Sequence, residues 1–346
     1  MIIDMHAHVV PQHFPEPGNR PSANRWPVMD NFEPGRAKVM INGENFRTIH
    51  SGSWEVERRL RDMDNAGVDA EAISPMPELL SYWFTPEDAL EMSRYTNEFI
   101  LKLCEAAPDR FFGLGMVPLQ EPELAAKELS KIKNMGLLGV ELGSNILGKS
   151  LGEDRFVGFF QEAERLEMPI FVHALHPTFA DRMTPGIINP VGFPTDTALT
   201  IGSFIDNGTA EKVPNLRIAW SHAGGSFPFI LPRYNHAWSG TWNEEPPPAD
   251  RVRAPGFGAL LPRSPWEYAR RFYYDTLIFD HRAIQYLIDM LGSKQLMIGS
   301  DYPFMQREQP VGKTLLAMDL SADVKDDITW NNCFRFLGVK APVAAR

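Results

Sequence analysis

Cysteine is nearly absent: Cys104 and Cys333 are the only two among 346 residues. Two cysteines in separate helix-like segments cannot build a disulfide framework or a thiolate metal site, and their scarcity suits a reducing compartment. Long apolar runs are lacking too, and no stretch approaches the roughly 20 residues needed to cross a bilayer. Basic residues are outnumbered, with 34 Lys and Arg against 44 Asp and Glu, a net charge of −10. That balance disfavours a nucleic-acid partner, which calls for a concentrated basic face. It still allows a small anionic substrate, provided local arginines offset the overall sign. The N-terminus shows no basic segment followed by a long apolar one, because Asp4, His6 and His8 interrupt it at once. These absences predict a soluble, cytoplasmic protein with neither a membrane nor a nucleic-acid partner.

What is present is an alternation. Short runs rich in Val, Ile, Leu and Phe, at 2–5, 68–74, 111–117, 139–142, 169–173, 216–222, 272–276 and 296–300, read as strands. Segments of helical period lie between them, at 54–66, 86–106, 121–134, 154–167 and 282–291. Eight such units predict a (β/α)8 TIM barrel, an α/β fold that typically takes roughly 250 residues plus insertions. The chain is therefore expected to form one domain over 1–346, with irregular rim insertions at about 11–53 and 243–265. The second carries Glu244-Glu245-Pro246-Pro247-Pro248, which rules out helix or central strand.

In such a barrel the reactive groups lie at the C-terminal ends of strands. The first strand runs into His6-Ala7-His8, whose side chains at i and i+2 share a face. The fifth ends on His173, the sixth on His222 and the eighth runs into Asp301. Any one of these residues alone is as well read as a core or capping residue. Four strand ends converging on one rim make a metal site the better reading, and three imidazoles with one carboxylate suit zinc with an open position. The fourth strand ends in Val140-Glu141-Leu142 with no lysine to carboxylate, so a single ion is expected. Gly224 and Gly225 are read as letting the backbone pass close to that ion, and Ser226 as capping a helix that begins at Phe227. Trp220 and Phe171 read as barrel packing, and His13, His50, His236 and His281 as structural or solvent-facing.

These motifs resemble the amidohydrolase superfamily. The carriers are the His-x-His start, His173, Ser221-His222-Ala223-Gly224-Gly225-Ser226 and Gly299-Ser300-Asp301-Tyr302-Pro303. With Asn45-Phe46-Arg47, Gly67-Val68-Asp69, Val117-Pro118-Leu119-Gln120 and Asn235-His236-Ala237-Trp238, the sequence resembles the metal-dependent decarboxylases typified by 2-amino-3-carboxymuconate-6-semialdehyde decarboxylase. The resemblance implies His6, His8, His173 and Asp301 as ligands of one Zn²⁺, with Mn²⁺ or another divalent ion as alternatives, and no organic cofactor. It implies His222 as a general acid/base working with metal-activated water, and Asp301 as a second group able to accept a proton. Arg47 matches an arginine that grips the substrate carboxylate, and Arg233 one that reaches the active site of a neighbouring subunit in a homodimer.

The expected activity is non-oxidative decarboxylation of a carboxylated muconate-semialdehyde-type or aromatic acid. The alternatives are a hydrolase or hydratase acting on a lactone, amide or unsaturated acid, and a metal-binding barrel without catalysis. Two departures from the decarboxylase pattern touch the substrate side. His173 is followed by Ala174-Leu175-His176 where Pro-Trp is usual, and Phe304 by Met305-Gln306-Arg307-Glu308 where Pro-Leu-Gly-Glu is usual.

Overall fold

The computed structural model describes residues 1–240 and 261–340. Eight parallel strands follow one another around a sheet: Ile3–Val9, Ala70–Pro75, Phe111–Gly115, Gly139–Gly143, Ile170–His173, Ile218–Trp220, Tyr273–Asp275 and Leu296–Met297. The sheet closes on itself through the segment after the last strand. Met5 N donates to Ile298 O at 2.8 Å, Asp301 N to His6 O at 2.8 Å and His8 N to Tyr302 O at 2.7 Å. All eight strands fall where the apolar runs predict, and the fold is the (β/α)8 barrel. The first strand extends four residues beyond its apolar run because Ala7 and Tyr302 continue the pairing past the histidines.

The alternation of side chains sorts the core into two bodies. Ile3, Met5, Ala72, Leu114, Phe171 and Ala219 fill the barrel interior, where Phe334, Phe336 and Leu337 of the last helix pack against them. Val140, Leu142, Ile170, Val172 and Trp220 face the surrounding helices. The helices include Val56–Asn65, Pro86–Ala106, Pro122–Met135, Val157–Arg165 and His281–Leu291. No helix among the described residues is long and apolar enough to cross a membrane.

The first insertion is not irregular. Its second half forms an antiparallel sheet of Val28–Glu33, Arg36–Ile41 and Glu44–His50. Asn42 and Gly43, at φ 54° and 75°, make the last turn, the Asn-Gly pairing that two-residue hairpins favour. Ala37, Val39 and Ile49 are buried while Lys38 and Thr48 are not, so one face of this sheet packs on the barrel. Of the second insertion, 243–260 and its proline run lie outside the described residues. From 261 the chain enters a helix, Pro265–Ala269, that opens on a capping box between Ser264 and Glu267.

A buried ionic group outside the barrel wall anchors the site. Arg59 Nε donates to Glu71 Oε2 at 2.6 Å, and Arg307 Nη1 to Glu71 Oε1 at 3.1 Å. The two guanidinium groups sit 4.9 and 4.0 Å from the ring of Tyr302, and Arg59 Nη1 also donates to the carbonyl of His8 at 2.8 Å. This ties the first strand to the segment that carries Asp301. Beside it Asp4 is pushed up to about 7 by burial and the Glu71 charge.

Candidate metal centre

Three local devices aim the site residues: a bulge, a strand end and left-handed backbone. The first strand carries a register shift between Asp4 and Ala7, and such a bulge re-aims the side chains that follow it. His6 and His8 then point together, with their Nε2 atoms 3.1 Å apart. His173 ends the fifth strand with its Nδ1 2.7 Å from the carbonyl of Ala174, while its Nε2 is buried with no hydrogen-bond partner. His222 and Ala223 both adopt positive φ, 54° and 57°, and Asp301 does so at 57°. Left-handed backbone at non-glycine residues persists only where the surroundings enforce it, and such residues gather at functional sites.

Nitrogen and oxygen atoms of His6, His173, His222 and Asp301 all lie within 4.8 Å of one another. His8 joins this group, its Nε2 3.3 Å from Asp301 Oδ1. The donor set suits a divalent cation: buried imidazole nitrogens facing one another gain nothing from that proximity unless a cation or proton lies between them. Burial, and the neighbouring imidazoles, hold His173 well below the ordinary histidine value; burial holds His8 at about 4. Burial and His6 lower His222 as well. Burial opposes charging of His6 too, but its bond to Asp275 and the Asp275 and Asp301 charges outweigh it and raise the pKa. Asp301 is likewise penalised by burial, yet the surrounding histidines bring it down to about 2.

A proton count follows. His8, His173 and His222 are already neutral at pH 7, whereas His6, raised above 6.5, must lose its proton before Nε2 can bind an ion while Asp275 holds Nδ1–H. Metal uptake below that pKa should release about one proton per ion from His6; above it the His6 share falls away and any proton released comes from metal-bound water. Calorimetry below that pKa in two buffers of different ionisation enthalpy checks this; metal uptake there without proton release would contradict the assignment.

Two buried carboxylates escape sequence reading. Asp275, at the end of the seventh strand, accepts from His6 Nδ1 at 2.7 Å, from His222 N and Ala223 N at 2.8 Å each, and from Leu277 N at 3.1 Å. One side chain thus orients a candidate ligand and the backbone of the candidate acid/base. The available signal was its place, a carboxylate at a strand end like Asp301. Glu141 is fully buried with its Oε2 3.5 Å from His8 Nδ1, a contact outside hydrogen-bond range.

Two local expectations are corrected. Ser226 has αR geometry and makes no side-chain cap to the helix Phe227–Ser239. Gly224 and Gly225, at φ 72° and 62°, are required by packing rather than by closeness to an ion. A Cβ at 225 would lie 1.8 Å from Pro194 O, and one at 224 would lie 2.8 Å from the Tyr274 ring. Gly225→Ala should therefore destabilise the fold by at least about 1–3 kcal/mol, read as a lower midpoint of chemical unfolding.

Of the two arginines, Arg47 is brought to the site. It reaches in from the third strand of the rim sheet, its guanidinium 4.3 Å above the Phe304 ring, which stacks at 5.4 Å on His8. Its Nη2 donates to Glu78 Oε1 at 3.2 Å. Arg233 stands exposed on the helix Phe227–Ser239. Phe171 lies edge-on to His6 at 5.0 Å, inside the barrel, and Trp220 is core. His50 Nδ1 accepts from Gly52 N at 3.1 Å, His13 lends its carbonyl to Tyr95, and His281 opens the helix His281–Leu291. A cavity of about 420 Å³ lies beside the centre, lined by Phe46, Glu78, Tyr82, Trp83, Leu175 and His176 among others.

The sequence profile described as amidohydrolase matches residues 3–339. The chain belongs to the amidohydrolase family. Its relatives within this family include named decarboxylases. The 2-amino-3-carboxymuconate-6-semialdehyde decarboxylase of Dictyostelium discoideum is 33% identical over 97% of this chain and 91% of its own length. The gamma-resorcylate decarboxylase of Rhodococcus jostii strain RHA1 is 29% identical over 71% of this chain and 76% of its own. A crystal structure of the dihydroxybenzoic acid decarboxylase of Polaromonas sp. JS666, with bound manganese and 2-nitroresorcinol, shares the amidohydrolase barrel at a TM-score of 0.71. The likeness covers 82% of this chain and 85% of that one at 23% identity. This amidohydrolase is accordingly grouped with the metal-dependent carboxy-lyases.

Proposed function

We propose that this chain is a zinc-dependent, non-oxidative decarboxylase of a muconate-semialdehyde-type or aromatic carboxylic acid. The observation that carries the reading is the convergence of five ligand-type side chains, His6, His8, His173 and Asp301 buried and His222 half-buried, beside a cavity lined by Glu78, the partner of Arg47. His6, His8, His173 and Asp301 hold the ion. Bound there, it supplies Lewis acidity and makes water acidic enough to ionise near neutral pH. His222, neutral at pH 7, accepts and returns a proton at a ring nitrogen, with its backbone fixed by Asp275. Arg47 orients the substrate by its carboxylate, since a planar guanidinium fork can donate two parallel hydrogen bonds to it. Its stacking on Phe304 holds that fork over the ligand His8. The relatives' activities favour loss of CO₂ over hydrolysis or hydration.

The protein acts as a homodimer in this reading, with Arg233 contributed across the interface. Exposed Phe229 and Ile230, at 78% and 44%, precede Arg233 on the same helix and supply apolar surface for the contact. Two measurements test the proposal. Candidate acids should release CO₂ only with metal present, and products bearing added water would instead identify a hydrolase or hydratase. Mixing a His6→Ala variant with an Arg233→Ala variant should restore activity in heterodimers; no recovery despite proven subunit exchange would assign Arg233 to its own chain alone.

A further inference from the structure

Glu78 is a carboxylate that the chemistry above leaves unused. It is the only Asp, Glu, Lys or Arg between Glu71 and Glu87, and it stands in the short turn Pro77–Leu80 after the second barrel strand. An apolar stretch does not bury a charge without a partner for it. Arg47 is that partner, but the pairing is incomplete. Glu78 Oε1 accepts from Arg47 Nη2 at 3.2 Å, whereas Glu78 Oε2 and Arg47 Nε are buried with no hydrogen-bond partner. A buried acceptor and a buried donor, both unfilled, carry a desolvation penalty that a ligand offering the complementary groups removes. Such a ligand has room, because Glu78 lines the 420 Å³ cavity with Tyr82, Trp83 and Phe46. The pair is also one ring from the centre, through Phe304 stacked between Arg47 and His8.

We propose that Glu78 determines specificity by accepting a hydrogen bond from a hydroxyl or amino group on the carbon next to the one bearing the carboxylate that Arg47 engages. The proposal rests on the role given to Arg47 above. The adjacency follows from the direct hydrogen bond between the two side chains, 3.2 Å long: side chains in contact with each other are served by neighbouring groups of one ligand. A simple counter-ion role for Glu78 makes a different prediction: its removal would then alter the affinity of all carboxylates alike.

Binding separates the two roles without relying on turnover. Zn²⁺-loaded protein is titrated calorimetrically with benzoate, 2-hydroxybenzoate and 2-aminobenzoate. The wild type should bind at least one substituted acid about tenfold or more tightly than benzoate, as a charge-assisted hydrogen bond gives. The better of the two identifies the donor as hydroxyl or amino. In Glu78→Leu the ratio should fall to about one, and in Glu78→Gln, which keeps an accepting oxygen without the charge, it should fall part-way. Should the leucine variant not fold, the glutamine variant carries the test alone. A wild-type ratio near one, or binding of none of the three acids, overturns the proposal, as does a ratio unchanged in the variants. A Glu78-dependent ratio in a protein that releases no CO₂ would sustain the role of Glu78 and sink the decarboxylase reading. CO₂ release with a ratio indifferent to Glu78 would do the reverse.

Discussion

His222→Ala should lower kcat for CO₂ release by about 10²–10⁴-fold, the range a positioned general acid/base supplies. Metal content should stay near one ion per chain, because His6, His8, His173 and Asp301 still offer four ligands. The pH profile gives a second readout. Burial and the charge of His6 hold His222 below 6.5, so its basic form predominates at neutral pH and is lost as the pH falls through that lowered value. The acid limb due to this residue should lie below pH 6.5 and vanish in the variant. Near-full turnover by His222→Ala, with metal bound, would remove the imidazole from the mechanism. Loss of metal instead of rate would make it a fifth ligand.

The second large effect belongs to a residue that touches neither substrate nor ion. Asp275 is fully buried and gathers four donors, three of them from His6, His222 and Ala223. Burial alone would favour its neutral form, but its hydrogen bond to His6 and the His6 charge hold it below the ordinary carboxylate value. Asp275→Ala strands those donors and leaves two left-handed residues without their tether. Unfolding should become easier by about 3–5 kcal/mol, as when one member of a buried ionic pair is removed, and metal affinity should drop about 10–100-fold. Asp275→Asn keeps one accepting oxygen and should recover part of the stability but less of the affinity. Denaturant titration and competition with a chelator of known affinity read the two effects separately. An alanine variant as stable and as metal-avid as the parent would refute this account of the centre.

The barrel and the convergence of its strand ends were legible because both depend on short-range pattern. Apolar runs of four to seven residues mark strands, and a polar residue at the end of such a run lies at the rim wherever the sheet closes. His6, His8, His173, His222 and Asp301 were found that way. The rim sheet was missed although its cue was present, since Asn42-Gly43 follows an alternating run. Asp275 and Glu78 were illegible for another reason. Their significance lies in partners 269 and 31 residues away; a strand-end position for Asp275 and an uncharged neighbourhood for Glu78 mark them locally, but neither cue names the group it meets. The glycines after His222 carried a correct local signal with the wrong cause, since the close neighbours are Tyr274 for Gly224 and Pro194 for Gly225, both on other elements.

The three strands Val28–Glu33, Arg36–Ile41 and Glu44–His50 pair as a sheet only with one another, while all the metal-ligand candidates sit on the barrel. Arg47 therefore belongs to a detachable attachment, and the reactive machinery to the chassis beneath it. Grafting 28–50 from a paralogue, or randomising its inward face, offers a route to a new diet for this catalyst without rewiring its engine.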